Sequence, residues 1–343
     1  MKYKTALVLA GGAFGTSIAF VLTQNFEKVI VKVRSKDNYD EINLGENKTY
    51  LPGQKLPDTI KAALSWDEVE QLKTGDIELI VSGLPVSGID SFCSENVKEL
   101  TALFEKKIPL VSLAKGIDHE SLKLPDELFN SHFDKYRNQI IYLSGPSFAK
   151  EIVDKQITMV TIAGSDRENL LKVCSMMSTD FFKPFPTLDI KGVLLGGALK
   201  NVIAIAGGIM EGLGYNHNTR AALITRGITE MLRFGVKFGA RPETFYGPSG
   251  MGDLILTTTG ELSRNKSFGM EIAKGRKADE IIANSKSVVE GYKTAKAAYL
   301  LAQKYNIRAR IFSGLYHVLY DGLDPKEVLA ELMKLPPRFD DEV

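Results

Sequence analysis

A lysine at the centre of an apolar, small-residue stretch is costly to bury, and Gly196-Gly197-Ala198-Leu199-Lys200-Asn201-Val202-Ile203-Ala204-Ile205-Ala206-Gly207-Gly208 carries one. An ammonium without a partner there loses hydration and its pKa falls, which makes Lys200 a candidate proton donor. A core-helix lysine can also snorkel its head to solvent, so this stretch alone leaves both readings open. A carboxylate able to orient it stands in Gly250-Met251-Gly252-Asp253, although an acid at a helix start also compensates the dipole. Ser263-Arg264-Asn265 joins a capping hydroxyl to a guanidinium and an amide, a set suited to a phosphate because Arg contacts an oxyanion bidentately. A capped helix with a solvated Arg is the plainer account. Glu290 follows Val288-Val289 and precedes Gly291; a surface acid is the plainer account there too. Metal ligation has little support, since His119, His132, His217 and His317 lack ligand spacing.

A second chemistry lies near the N-terminus. Ala6-Leu7-Val8-Leu9 is the apolar run of a buried strand, helical periodicity begins at Phe14, and Ala10-Gly11-Gly12-Ala13-Phe14-Gly15 lies at the junction. This approximates the dinucleotide fingerprint, with Gly12 where backbone approaches a pyrophosphate and Gly15 where the helix packs close to the strand. Ala10 replaces the first glycine, so the motif is imperfect. The second strand ends in Arg34-Ser35-Lys36, where an NAD site usually carries an acid for the ribose hydroxyls; Arg and Lys suit a 2′-phosphate, so NADPH is expected to be accepted or preferred. A solvated charged loop is the competing description.

The elements that must position these residues change character along the chain. Strand signals at 6–9, 29–33, 78–82, 108–113, 139–143 and 158–162 are spaced to leave room for crossover helices, which indicates a parallel, doubly wound sheet. Ligands on such sheets gather at the carboxyl ends of strands. Lys115, in Leu113-Ala114-Lys115-Gly116, would there point into a cleft. Ser144-Gly145-Pro146-Ser147-Phe148-Ala149 would form a tight turn whose amides and Ser147 hydroxyl are open to an anion. A surface lysine and ordinary Gly-Pro punctuation describe these two places as well. From about residue 188 the sequence reads as helices over 190–213, 218–238, 250–258, 264–274, 292–305, 311–320 and 325–334. The expected organisation is a dinucleotide-binding domain over 1–188, a helical substrate and catalytic domain over 189–336, and a flexible acidic tail over 337–343, with the cleft between the two domains.

At 343 residues two domains are the default. Lys plus Arg (43) and Asp plus Glu (42) nearly cancel and no basic run appears, which argues against a nucleic-acid partner but leaves a small anion open. Cys93 and Cys174 are the only cysteines, as expected of a reducing, cytoplasmic compartment. Lys2 and Lys4 ahead of an apolar run could open an exported or membrane segment. The breaks at Gly11-Gly12 and Gly15, and the β-rich segment that follows, oppose stable membrane insertion.

Together these segments resemble the bacterial NAD(P)-dependent glycerol-3-phosphate dehydrogenase family over essentially the whole chain. The nucleotide loop is generic. Asn47-Lys48-Thr49-Tyr50-Leu51-Pro52, the Lys115 and Gly145 segments, the Lys200 stretch, Arg220-Ala221-Ala222-Leu223-Ile224-Thr225-Arg226-Gly227, Gly252-Asp253-Leu254, Ser263-Arg264-Asn265 and Val288-Val289-Glu290-Gly291-Tyr292 occur in order and are jointly specific. The resemblance implies an α/β Rossmann-type, mostly parallel sheet followed by an all-α domain. It also implies a homodimer that reduces dihydroxyacetone phosphate to sn-glycerol 3-phosphate for glycerophospholipid synthesis, with NADP or NAD as cofactor. Ala13, Phe14, Arg34, Lys115, Ala149, Arg264, Val288 and Glu290 match the family's cofactor contacts. Lys115, Gly145, Ser147, Lys200, Asp253, Ser263, Arg264 and Asn265 match its substrate contacts, and Lys200 its proton acceptor in the oxidative direction. Departures are Ala10, Phe14 where Trp or Tyr is common, and Pro248-Ser249 before Gly250. Two rivals stand beside this reading: another two-domain reductase, for a β-hydroxyacid or ketopantoate, and a protein that senses NADPH without turnover.

Overall fold

The computed structural model describes residues 2–284, 289–334 and 336. Val288 and the tail 337–343, expected as a cofactor contact and a flexible end, lie outside the described residues. The chain divides into two compact units, residues 1–114 with 125–190, and residues 115–124 with 191–343.

Ten strands belong to the first unit: β1 (Tyr3–Leu9), β2 (Phe26–Lys32), β3 (Glu46–Asn47), β4 (Leu51–Lys55), β5 (Ile60–Ala63), β6 (Ile77–Ser82), β7 (Leu110–Ser112), β8 (Ile140–Ser144), β9 (Thr158–Ala163) and β10 (Phe182–Thr187). Eight form one sheet in the order β10-β9-β8-β7-β6-β1-β2-β5, while β3 and β4 pair separately. The central strand β1 pairs in parallel with β2 and β6, Leu7 lying opposite both Ile30 and Ile80. β9 runs antiparallel to β8, so the sheet is mostly but not wholly parallel. Ala6, Leu7 and Val8 are fully buried, as expected of a strand covered on both faces.

Three strands of this unit give weak sequence signals. β10 contains Pro184 and Pro186, tolerated because it is the edge strand and those positions need not donate to a further neighbour. β5 is only four residues long, and β3 only two. The predicted strand at 29–33 begins earlier, at Phe26, because Phe26 is buried against the core.

The turn after β1 departs from ordinary backbone. Ala10 has φ +77°, the left-handed region that glycine adopts freely and a Cβ resists. The helix Ala13–Leu22 is packed against this turn: a Cβ on Gly15 would lie 2.3 Å from the Ala10 carbonyl oxygen. Ala10 therefore bears conformational strain at the very position where the fingerprint normally has glycine. Ala10→Gly is expected to raise stability by about 0.5–1 kcal/mol, the strain relieved exceeding the extra entropy of the unfolded glycine. A thermal midpoint that stays level or falls in Ala10→Gly would contradict this.

The second unit is built around the helix Ile190–Gly212, in which every residue from Gly192 to Ile209 is buried. It is long and apolar enough to cross a membrane by length and composition, but 94% of its apolar window is buried inside the protein. Its glycines mark close helix crossings. A Cβ on Gly196 would meet the Ser249 carbonyl oxygen at 2.5 Å, and one on Gly208 would meet that of Lys266 at 2.0 Å. The small residues around Lys200 thus admit neighbouring backbones. Around this helix lie His217–Lys237, Arg264–Ala273, Glu290–Tyr305, Arg310–Tyr320 and Pro325–Met333, close to the predicted helices, and a short helix Ala278–Ala283 that periodicity did not reveal. The predicted helix at 250–258 divides into a π-helical turn, Pro248–Gly252, and a regular helix, Asp253–Thr259.

One helix start in this unit is capped from a distance. Buried Glu230 accepts hydrogen bonds from the backbone amides of Arg310, Ile311 and Phe312 at 2.8–3.4 Å, satisfying the open N–H groups of Arg310–Tyr320. Burial pushes its carboxyl up to about 7 despite those donors.

Candidate active site

Asp253 is positioned by the π-helical turn, whose wider backbone path sets it at the first position of the following helix. Its carboxylate is 1% exposed and shared by two ammonium groups. Lys115 Nζ donates to Oδ2 at 2.8 Å and Lys200 Nζ lies 3.0 Å from Oδ1. Lys200 also donates to Thr257 Oγ1 at 2.7 Å, and Thr257 in turn donates to Asp253 Oδ1 at 3.2 Å. Lys200 is therefore buried and paired; it does not snorkel. Two of its three N–H donors are engaged, which leaves one for a substrate oxygen.

The electrostatics follow from this crowding. Burial lowers the Lys200 pKa to about 8, opposed by Asp253 and reinforced by Lys115 and Arg264. Burial pushes the Asp253 carboxyl up, but the two ammonium groups outweigh it and hold the carboxyl below its usual range. Lys115 and Lys200 thus share one buried carboxylate, and Arg264 adds a third positive charge to the field at Lys200. Glu290 carries only part of a negative charge near neutrality, since burial pushes it up to about 7 against Arg264 and Lys293. The excess positive charge suits an anion or a developing oxyanion.

Lys115 reaches this cluster because residues 115–124 belong to the helical unit although they follow β7 in sequence. A chain of side-chain amides holds the loop there. Asn201 Nδ2 donates to the Lys115 carbonyl at 3.2 Å, Asn265 Nδ2 donates to Asn201 Oδ1 at 2.9 Å, and the Gly291 amide donates to Asn265 Oδ1 at 3.0 Å. Asn265 is accordingly a buried bridge between three helices, and Ser263 is the N-cap of its helix, accepting from the Lys266 amide at 3.2 Å. Arg264 stays exposed between them. Thr257 and Asn201 were not singled out by the sequence reasoning. Thr257 lies four residues after Asp253, one helical turn on, which is the signal that could have found it.

The remaining expected site residues lie on the sheet unit. Gly12 is the N-cap of Ala13–Leu22 and supplies no side-chain cap; a Cβ built on it would meet nothing within 4 Å. With Gly15 tight beneath the turn and open space at Gly12, the loop fits a dinucleotide pyrophosphate held by helix N-terminal amides. Arg34 is exposed two residues past the end of β2, while Lys36 is engaged with Asp40 at 2.8 Å. Gly145 has φ +142° and leaves no room for a side chain, its Cβ position lying 2.9 Å from Val160 Cα. Ser147 Oγ donates back to the Gly145 carbonyl at 2.8 Å, and Ala149 opens the short helix Ala149–Val153. No group of three or more His, Cys, Asp or Glu that could hold a metal ion occurs among the described residues.

A doubly wound sheet with a glycine-bearing turn after its first strand, joined to helices that bury a Lys–Asp–Lys cluster, defines a two-domain nicotinamide-dependent oxidoreductase. A family model described as the NAD-dependent glycerol-3-phosphate dehydrogenase N-terminus matches residues 5–170, and one described as the C-terminus of that enzyme matches residues 189–330. The chain belongs to the NAD(P)-dependent glycerol-3-phosphate dehydrogenase family. The glycerol-3-phosphate dehydrogenase of Leptospira biflexa is 42% identical over 95% of this chain and 96% of its own length. That of Myxococcus xanthus is 39% identical over 96% of this chain and 97% of its own. The crystal structure of the Coxiella burnetii glycerol-3-phosphate dehydrogenase aligns with a TM-score of 0.87 at 29% identity, covering 97% of this chain and 99% of that one.

Proposed function

We infer that this protein catalyses the reversible NAD(P)H-dependent reduction of dihydroxyacetone phosphate to sn-glycerol 3-phosphate. The observation that carries the reading is the buried Lys200 ammonium, oriented by Asp253 and Thr257 with one donor left over. When bound, the nicotinamide supplies hydride to the C2 carbonyl carbon. Negative charge then grows on the carbonyl oxygen, and Lys200 protonates it while Lys115 stabilises the charge. In the oxidative direction neutral Lys200 takes the proton back. Ser263, Arg264 and Asn265 define the helix start that receives the phosphate, Arg264 by its exposed guanidinium and the helix by its amides. Binding energy is thereby spent away from the reacting carbon. A β-hydroxyacid or ketopantoate lacks the phosphate this arrangement requires, and a sensor without turnover has no use for a paired proton donor.

The pH dependence has a definite sign. Reduction needs protonated Lys200, so it should hold below about pH 8 and fall above it; oxidation needs the neutral amine and should rise through the same range.

The deciding assay is loss of reduced-nicotinamide absorbance with purified protein, dihydroxyacetone phosphate, and NADH or NADPH. Turnover no better than with dihydroxyacetone itself, or equal turnover with ketopantoate, would overturn the assignment. NADPH preference rests on Arg34 at the end of β2; Arg34→Asp should lower kcat/KM for NADPH about tenfold relative to NADH, and an unchanged ratio would remove Arg34 from that role. Supply of glycerophospholipid synthesis and a homodimer rest on the family resemblance, and a cytoplasmic location on the sparse cysteines, Cys93 and Cys174.

A further inference from the structure

We propose that Asn47 is the positioning residue that aims the nucleotide-binding turn at the cofactor pyrophosphate, an inference that rests on the nicotinamide-dependent reading above. Asn47 is fully buried and every hydrogen-bonding position of its amide is used. Its Nδ2 donates to the Gly11 carbonyl and to Thr16 Oγ1, both at 2.8 Å, and its Oδ1 accepts from Asn38 Nδ2 and the Tyr50 amide, both at 3.2 Å. Thr16 Oγ1 adds a second donor to the same Gly11 carbonyl at 3.3 Å. Because Gly11 O can only accept, the side chain's orientation is fixed.

The consequence is geometric. In a trans peptide the carbonyl of one residue and the amide of the next point in opposite directions. Holding Gly11 O toward Asn47 therefore turns the Gly12 N–H away from it, at the helix start where a Cβ on Gly12 meets only open space. The same brace supports strained Ala10 one residue upstream. It also accounts for the Asn47 to Pro52 segment: the chain between β2 and β5 returns Asn47 beneath the turn, and the Tyr50 amide closes back on it. Asn47 touches the loop and no reacting atom, so its effect should fall on cofactor binding and not on the ketone.

The test is a fluorescence titration of the full chain with NADH and NADPH, alongside KM for dihydroxyacetone phosphate and thermal midpoints. Asn47→Ala should weaken cofactor binding about tenfold, the worth of one buried hydrogen bond to the turn, and leave KM for the ketone within about twofold. Asn47→Asp should be worse at neutral pH, since a carboxylate cannot donate to Gly11 O, and should recover as the pH is lowered and the acid gains a proton. Should Asn47→Ala not fold, isosteric Thr16→Val removes the second donor and should weaken cofactor binding about threefold. Unchanged affinity in these variants, or a lowered midpoint with unchanged affinity, overturns the inference. If wild-type protein binds neither NADH nor NADPH, the functional reading falls first and this one with it, so the wild-type titration tells the two failures apart.

Discussion

Lys200→Ala is expected to lose on the order of a hundredfold or more in turnover of dihydroxyacetone phosphate while still binding reduced cofactor, because it deletes a buried acid with a donor to spare. The size comes from general-acid catalysis, and the sparing of cofactor affinity from the location of the nucleotide turn on the other unit. Loss should appear in kcat more than in KM, since proton transfer belongs to the transition state. The pH limb near 8 should vanish with the amine that causes it. Steady-state kinetics over pH, paired with a cofactor titration, check both halves; turnover within a few-fold of wild type would take the role of acid away from Lys200.

Asp253→Asn should be nearly as damaging for a different reason. The substitution keeps the shape but leaves the buried Lys200 ammonium and the partly buried Lys115 ammonium without their shared anion. Removing one partner of a buried ion pair costs about 3–5 kcal/mol. Part of that cost is avoided when Lys200 gives up its proton, so its pKa should fall below about 8, since Asp253 is the group that raises it. Turnover in the reductive direction should fall about a hundredfold at neutral pH and the alkaline limb should move toward acid. Pairing the pH profile with a thermal denaturation curve separates the two effects. A limb that stays in place would show that Asp253 does not tune Lys200.

Much of this was legible in the sequence, for identifiable reasons. The run Ala6 to Leu9 announces a doubly covered strand because burial on both faces admits no polar alternation, and the glycines flanking Lys200 announce close crossings because only small residues allow them. A partner for Lys200 was readable as a need, because an ammonium in an apolar stretch cannot stand alone, and Asp253 offered the carboxylate beside its other reading as a helix-start acid. What was not legible depends on tertiary return. That Lys115 shares the same carboxylate follows from the grouping of residues 115–124 with the helices, which no local pattern encodes. The bridge that Asn265 makes to Asn201 and Gly291 has no local signature either, because an amide's partners depend on which helices meet. β10 was hidden by its prolines, which mark turns unless an edge accommodates them. Val288 lies outside the described residues.

The excursion that brings residues 115–124 to the helices bears on how this gene could be dissected or recombined. A single cut near residue 190 would separate Asp253 from the lysine at 115 that shares its charge, so the distal fragment would carry half an ion network. Chimaeras that exchange distal halves between relatives at that junction would pair each aspartate with a loop evolved beside another. One crossover before residue 115 would carry the whole charge cluster but also segment 125–190 of the sheet unit; exchanging the helical unit alone takes three, one on each side of the excursion and one near residue 190.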